Sequence, residues 1–229
     1  MKKLLMLGTL LMVTLGFGTN GFAIPIQVND LIRFANPDGP NAFVSGGMGG
    51  PFTASSPSSL WNDFLTFCLQ TNEDLSFQED FTVASISTEA RAGGAGGQDT
   101  STGDTLDPFS AYLYHQAVSG VYNVNELDDV QYALWVIEEE IEFSHLSSDA
   151  QSFYTAQESN YNNAVLSSAW IGIGNVRVLN LVNSSGRASQ DVLVEVSPVP
   201  EPASMLLLGA GLIGLVGVGR TKWFKRGGK

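Results

Sequence analysis

Cys68 is the single thiol in a chain of 229 residues, and it is the residue whose type most plainly suggests chemistry. Because the chain has no second cysteine, Cys68 forms no internal disulfide, and a disulfide scaffold is excluded. Three interpretations stay open. Cys68 is a small apolar side chain buried on a core strand, or it forms an intermolecular disulfide, or it is a reactive thiol. The third interpretation depends on the residues that surround it.

Two short motifs indicate what those surroundings are. Cys68 is the centre of an aromatic-Cys-aliphatic triplet, FCL, in the apolar segment NDFLTFCLQT. Gln131 lies 63 residues later, in the segment VQYALW that ends at Trp135. Together the two segments resemble the Cys and Gln-x-Ala-Ile-Trp motifs of bacterial thioester domains, which occur in surface adhesins. The resemblance covers residues 63 to about 196.

The resemblance implies a covalent bond between the sulfur of Cys68 and the side-chain carbonyl of Gln131, formed with loss of ammonia. Such a bond requires that the two groups be held in contact and shielded from water. A cysteine on a buried strand and a glutamine at the border of an apolar helical stripe can meet in this way. Trp135, four residues after Gln131, is placed to cover the bond.

Two further features of the sequence bear on this pairing. The chain has no lysine between residues 4 and 221, which removes the most obvious internal amine that could quench a thioester. The threonine that usually precedes the glutamine in the family is Val130 here. If no bond forms, Gln131 is a partly buried polar group that is hydrogen-bonded to the backbone.

Other candidates for chemistry are weaker. Four glutamates, with His145 nearby, suggest a cation site: Glu138, Glu139, Glu140 and Glu142. Consecutive residues of a helix point in different directions, so we expect a solvated acidic face and no metal site. No Gly-x-Ser-x-Gly or other nucleophile motif is present. We therefore expect no catalytic residues, no cofactor and no enzymatic turnover.

The elements that position these residues can be read from the pattern of apolar side chains. Alternating or two-sided apolar segments predict strands, and apolar residues at helical spacing predict helices. The predicted strands are 26–36, 62–71, 80–87, 175–183 and 190–197, the last two joined as a hairpin; a flexible loop is predicted over 91–105, and helices over 108–119, 126–141 and 147–169. This order predicts an α+β class, with a β-rich, antiparallel sandwich or barrel-like domain that carries a helical insertion.

The two ends of the chain differ from the middle. Residues 1–23 have two lysines, an apolar run and then small residues ending at Ala23, which is the pattern of a secretory signal peptide cleaved after that residue. Residues 24–199 hold four arginines against 22 acidic residues, a balance of −18. So acidic a surface repels phosphate backbones, and nucleic-acid binding is excluded.

The pattern of the last 32 residues is typical of a targeting signal. Residues 203–219 carry no charge and five glycines, which favours a short transmembrane helix over a soluble one. Its neighbours are the motif Pro200-Glu201-Pro202 before it and basic residues after it: Arg220, Lys222, Lys225 and Arg226. By the positive-inside tendency the basic tail is cytoplasmic and the acidic domain lies outside. The whole of 198–229 closely resembles a PEP-CTERM sorting signal.

That resemblance implies processing by an exosortase after export by signal peptidase and the export machinery. The expected domains are a signal peptide at 1–23, an exported acidic domain at 24–197 and a sorting signal at 198–229. The expected location is an inner-membrane precursor, then the cell surface or extracellular matrix, with envelope or exopolysaccharide components as partners. The leading hypothesis is a thioester-bearing adhesin. Its alternatives are a reversible binding module for matrix polysaccharide or Ca²⁺, and a secreted hydrolase.

Overall fold

The computed structural model of the chain describes residues 24–35, 49–73, 75–77, 79–91 and 103–196. The predicted signal peptide and the predicted transmembrane helix over 203–219 lie outside these residues. The strands are β1 Leu31–Ala35, β2 Phe52–Ser55, β3 Phe64–Thr66, β4 Asp80–Ser87, β5 Glu89–Ala90, β6 Asp104–Thr105, β7 Val176–Val182 and β8 Val192–Glu195, and the α-helices are α1 Pro108–Val118, α2 Leu127–Ile137 and α3 Ser148–Leu166. Within the described ranges, no helix has the length and apolarity needed to cross a membrane.

Six of the strands form one antiparallel sheet in the order β3-β2-β1-β4-β7-β8. The two ends of this order meet, because Cys68, just past β3, forms an antiparallel bridge with Val192 of β8. The closure is reinforced by the hydroxyl of Thr66, which donates to the carbonyl oxygen of Leu193 at 2.6 Å. The sheet is therefore nearly closed, and Cys68 lies at its point of closure.

The inner face of the sheet is apolar on five of its six strands. β1 alternates strictly between exposed and buried positions, so that Ile32 and Phe34 point inward. The inner cluster gathers buried residues from five strands together with Cys68 and one side chain of α2: Ile32, Phe34, Phe52, Ala54, Phe81, Val83, Leu179, Leu181, Val192, Val194 and Trp135. Alternation along a strand sends neighbouring residues to opposite faces, so a second cluster forms outside the sheet.

The three helices cover that second cluster. β7 and β8 turn Val176, Val178 and Leu193 toward the helices, where they pack with residues such as Leu113 and Leu134. The segment around Cys68 also has two apolar faces. Phe67 and Leu69 belong to the helical cluster, while Cys68 belongs to the inner cluster. Burial on both faces explains why this stretch of sequence shows no polar alternation.

Local signals fix where the helices begin. Asp107 caps α1, because its side chain accepts a hydrogen bond from the backbone N–H of Phe109, and Pro108 occupies the first helical position. Ser147 caps α3 in the same way through the N–H of Ala150. α2 follows a short 3₁₀ turn whose capping box joins Asn123 and Glu126. All three helices lie between β6 and β7 in the sequence, which is the helical insertion that the sequence pattern predicted.

The α+β class and the antiparallel sheet are confirmed, with differences in detail. The strand predicted over 62–71 is β3 alone, because the chain changes partners: β3 pairs with β2, and the residues after it pair with β8. The loop predicted over 91–105 ends in β6, which pairs with β5. The helix predicted over 126–141 ends at Ile137.

A buried carboxylate ties the closing strands together. Asp191 is fully buried and accepts hydrogen bonds from four residues: Gln70, Arg91, Asn180 and the backbone N–H of Leu181. The guanidinium of Arg91 lies 3.0 Å from its Oδ1. A buried ion that keeps all its donors is stable, but one that loses its partner is costly. Asp191, the residue directly before β8, therefore anchors the segment that follows Cys68 through Gln70.

We predict that Asp191→Ala lowers the free energy of unfolding by about 3–5 kcal/mol, because it leaves a guanidinium and several buried donors without their acceptor. The control is Asp80→Ala, which removes the partner of Arg33 in an ion pair that is half exposed and is expected to cost under about 1 kcal/mol. Urea unfolding of both variants measures the difference. Equal losses would contradict the role given to Asp191.

Candidate functional site

The backbone opposite Cys68 belongs to the residues that lead into β2. β2 and β3 pair with Phe52 opposite Thr66, and this register, continued by two residues, places Gly50 opposite Cys68. The two residues do not pair with each other as neighbours in a ladder do. A side chain from α2 comes between them instead.

That side chain is the carboxamide of Gln131, which is 2% exposed. Its Oε1 accepts a hydrogen bond from the N–H of Cys68 at 2.9 Å and another from the N–H of Gly50 at 2.8 Å. Its Nε2 donates to the carbonyl oxygen of Cys68 at 2.9 Å. The carboxamide thus acts as a peptide group would in a neighbouring strand. Cys68 and Gln131, which are 63 apart in sequence, are held together by two hydrogen bonds, and a third joins Gln131 to Gly50.

The thiol of Cys68 is enclosed in the same place. The residue is 3% exposed, and burial raises the pKa of the thiol well above its usual range, with a smaller opposing effect from the N–H of Gly50. The thiol is therefore protonated at neutral pH, and it is not a freely reactive thiolate. One N–H, that of Gly50, lies next to both the sulfur and the carboxamide oxygen of Gln131.

Trp135 covers the turn that carries Gly50. It is 3% exposed, and its ring packs directly against Gly49, one helical turn from Gln131. A Cβ built on Gly49 would lie 2.5 Å from Cη2 of Trp135 and 2.8 Å from Cγ of Gln131. Gly49 also has a φ of +87°, which disfavours other residues. Only glycine fits here.

The arrangement is suited to chemistry at the carbonyl carbon of Gln131. Two backbone N–H groups aimed at one oxygen form the geometry that stabilises a developing oxyanion in acyl transfer. The thiol is the only cysteine sulfur in the chain, and it belongs to the same enclosed group. The site therefore combines a thiol, a carboxamide and two backbone N–H groups that donate to the carboxamide oxygen.

The acidic segment after α2 differs from the prediction. The solvated acidic face predicted over Glu138–Glu142 is wrong for Glu138 and Glu140, which are 6% and 4% exposed. The reason is that α2 ends at Ile137 and that Glu139 takes a φ of +60°, so the following side chains turn back toward the protein. Among the described residues, no group of three or more His, Cys, Asp or Glu side chains is arranged to hold a metal ion.

The two buried glutamates accept hydrogen bonds from the chain segments next to the site. Glu140 accepts hydrogen bonds from the N–H and the hydroxyl of Thr71, at 2.9 and 2.7 Å, and so ties the chain after Cys68 to the end of α2. Glu138 accepts from the N–H of Asp107 at 3.2 Å. Burial raises the pKa of Glu138 to about 8. Neither contact could be predicted from the sequence.

Sequence reasoning also missed Gly49 and Gly50. Gly50 provides one of the two N–H donors to Gln131, and Gly49 leaves the space that Trp135 fills. The signal that could have found them is the pair of glycines directly before Pro51. The remaining predicted site residues lie outside the described ranges: Ala23, Pro200, Glu201, Pro202, Arg220, Lys222, Lys225 and Arg226.

Comparison with known protein families bears on that carboxyl end. A PEP-CTERM protein-sorting motif matches residues 198–220, a range that contains Pro200-Glu201-Pro202 and ends at Arg220. The motif indicates an exported surface protein that is processed by an exosortase and whose precursor is anchored in the membrane. No curated protein matches the chain, and neither does any solved structure. The sorting signal is thus confirmed, and the resemblance to thioester domains stays a prediction.

We predict that Gly49→Ala costs about 2–4 kcal/mol of unfolding free energy, since the new Cβ overlaps Trp135 and Gln131 and the positive φ adds strain. The matched control is Gly120→Ala. Gly120 has a φ of +74° and open space around it, so only the strain applies. Chemical denaturation of both variants separates overlap from strain. Indistinguishable losses would contradict the close packing of Trp135 on Gly49.

We predict that Glu138 weakens the fold as the pH rises. Its pKa is raised from 4.5 to about 8 in the folded state, so the folded protein holds a proton that the unfolded chain releases between these values. Stability therefore falls as the pH rises through this window. In Glu138→Gln this fall is smaller. Between pH 5 and pH 8, the unfolding free energy of the variant therefore rises by on the order of 3 kcal/mol relative to that of wild type.

Urea unfolding at the two pH values measures that gain, and Glu142→Gln is the control. Glu142 lies on the same segment but is exposed, so its removal leaves the pH dependence of stability unchanged. A Glu138→Gln variant that follows the wild-type pH profile would show that Glu138 is ionised in the fold.

Proposed function

We propose that residues 24–197 form a thioester-bearing surface module that its sorting signal delivers to the cell envelope, where it attaches covalently to a partner. In this proposal Cys68 and Gln131 are the bonded pair, and Trp135 shields the bond. The observation that carries the proposal is the pair of backbone N–H donors, from Gly50 and Cys68, that converge on the carbonyl oxygen of Gln131.

The bond forms by an intramolecular acyl transfer. The sulfur of Cys68 attacks Cδ of Gln131, and negative charge develops on Oε1, which both N–H donors already contact. The bond from Cδ to Nε2 then breaks, the thiol proton passes to the leaving nitrogen, and ammonia departs. The thiol and the carboxamide become a thioester and one molecule of ammonia, so atoms and charges balance.

Burial favours this chemistry in two ways. The site holds the thiol and the carboxamide in one geometry, which replaces an encounter between separate molecules. It also excludes water, which would hydrolyse the product. The high pKa of the thiol means that the sulfur attacks with loss of its proton to Nε2, and no stable thiolate is required.

The thioester acts once, without turnover. An amine or a hydroxyl on the partner surface takes the acyl group of Gln131 and releases the thiol of Cys68. The exported domain has no lysine of its own to compete for the acyl group. Envelope proteins and exopolysaccharide present the amines and hydroxyls that the reaction requires.

The second candidate function is a reversible binding module in which Cys68 is structural. It is favoured by the same three hydrogen bonds of Gln131, which satisfy the N–H and carbonyl of Cys68 and the N–H of Gly50 without any covalent bond. The two candidates differ in one measurable property, the presence or absence of a carboxamide nitrogen at Gln131.

We predict that the purified protein is lighter than its sequence by one ammonia molecule and that Cys68 resists iodoacetamide even after unfolding at mildly acidic pH. Methylamine should add its own mass and expose one thiol, because it opens the thioester. Intact-mass spectrometry before and after each treatment measures both changes.

Three variants make the test specific. Cys68→Ala and Gln131→Ala should each show the full calculated mass and no reaction with methylamine. Gln157→Ala, which changes a glutamine on α3, should keep the ammonia deficit. A wild-type protein of full mass, with a thiol that alkylates completely on unfolding, would favour the reversible module and overturn the thioester.

A further inference from the structure

Four apolar side chains are exposed at the end of α3 and in the turn that follows it: Val165, Leu166, Ala169 and Ile171. Leu166 is 84% exposed and Ile171 is 77% exposed, the two highest values among the large apolar residues that the structure describes. We call these four residues the apolar patch. A single exposed aliphatic side chain needs no explanation, whereas a group of them marks a surface that meets another apolar phase.

Hydrogen bonds and packing hold the apolar patch in one conformation. The N–H groups of Ala169 and Trp170 both donate to the carbonyl oxygen of Ala164, at 2.8 and 3.2 Å, so the chain turns back sharply after α3. The indole N–H of Trp170 donates to the carbonyl oxygen of Pro108 at 3.2 Å. The same ring lies under the next turn, because a Cβ built on Gly174 would be 3.0 Å from its Cη2. The patch is therefore part of the packed domain.

The chain leaves the described domain beside the apolar patch. The N–H of Val196, the last described residue, donates to the carbonyl oxygen of Asn175 at 3.0 Å, and Asn175 is four residues after Ile171. Only residues 197–202 separate Val196 from the predicted membrane-spanning segment 203–219. Six residues reach at most about 20 Å, whatever their conformation. In the anchored precursor, this end of the domain is therefore held close to the bilayer.

The charge around the apolar patch differs from that of the domain as a whole. Residues 159–176 contain no Asp, Glu, Lys or Arg, whereas the exported domain is strongly acidic. Glu195, near the exit of the chain, is paired with His115 at 3.1 Å. The guanidinium of Arg177 donates to the carbonyl oxygen of Gly174 at 3.0 Å, so a cation lies beside the turn. Anionic lipid headgroups repel an acidic surface, and this end of the domain can approach them without that repulsion.

We propose that the apolar patch docks on the surface of the membrane that anchors the precursor, with its aliphatic side chains at the boundary between headgroups and acyl chains. Four small side chains are too few for the interface of about 800 Å² a partner that a second copy of the chain would need. The short tether supplies a high effective concentration instead. Docking therefore ends when processing separates the domain from its anchor. The proposal rests on the sorting motif and is independent of the thioester.

The test uses the full-length precursor, reconstituted into vesicles of phosphatidylethanolamine and phosphatidylglycerol. An NBD fluorophore on Ala169→Cys reports on the apolar patch, and the same fluorophore on Ser185→Cys is the matched control. Ser185 is also exposed, but it lies in the turn between β7 and β8, at the opposite end of β7 from Asn175. Cys68 is buried and does not take up the label in the folded chain, and the chain without an introduced cysteine gives the background.

We expect the emission of the label at position 169 to shift to the blue and to be quenched by a nitroxide-bearing lipid, with neither change at position 185. Leu166→Ser combined with Ile171→Ser should lower the ratio of docked to undocked domain about tenfold. The control is Leu60→Ser combined with Val121→Ser. These residues are 62% and 60% exposed in the connections β2–β3 and α1–α2, so their replacement should leave the ratio unchanged.

Four outcomes would overturn the proposal. Three of them are water-like emission at position 169, equal quenching at positions 169 and 185, and undiminished quenching in the variant that lacks Leu166 and Ile171. The fourth is a label at position 169 that becomes shielded as the protein density in the vesicles rises but does not respond to the nitroxide lipid, which would assign the patch to a second copy of the chain. All the replaced side chains are exposed, and circular dichroism confirms that each variant is folded.

Discussion

The hydrogen bonds between the carboxamide of Gln131 and the backbone of Cys68 are the contact on which the rest of the structure depends. At the point where the sheet closes, Cys68 has lost β2 as its partner and has only begun to pair with β8. A strand with unpaired N–H and C=O groups in the interior is costly. Gln131 supplies both missing partners from a helix. One side chain therefore joins the sheet to the helical layer and places a carbonyl carbon beside the only thiol.

The shortage of lysine is the second constraint. Residues 4–221 contain none, so in the proposed function an acyl group at Gln131 has no lysine of its own domain to react with. The PEP-CTERM motif indicates an exported protein, and in the proposed function the amine or hydroxyl that accepts the acyl group belongs to another molecule.

Much of the fold follows from the sequence, because periodicity and capping are local. The hairpin of β7 and β8, the strand β4 and the starts of α1 and α3 were predicted within a residue or two. What the sequence could not show depends on contacts between distant segments. The change of partner after β3 and the burial of Glu138 and Glu140 arise where α2 ends against the sheet. The pair Cys68 and Gln131 was suggested by resemblance, whereas the donor from Gly50 required the register of β2.

A crystal structure of the mature protein at high resolution shows directly whether Cys68 and Gln131 are bonded. For the proposed thioester, we expect continuous electron density between the sulfur of Cys68 and Cδ of Gln131. Oε1 should remain within hydrogen-bond distance of the N–H groups of Gly50 and Cys68, and no nitrogen should occupy the position of Nε2. Separate side chains, with an intact carboxamide that donates to the carbonyl oxygen of Cys68, would contradict it.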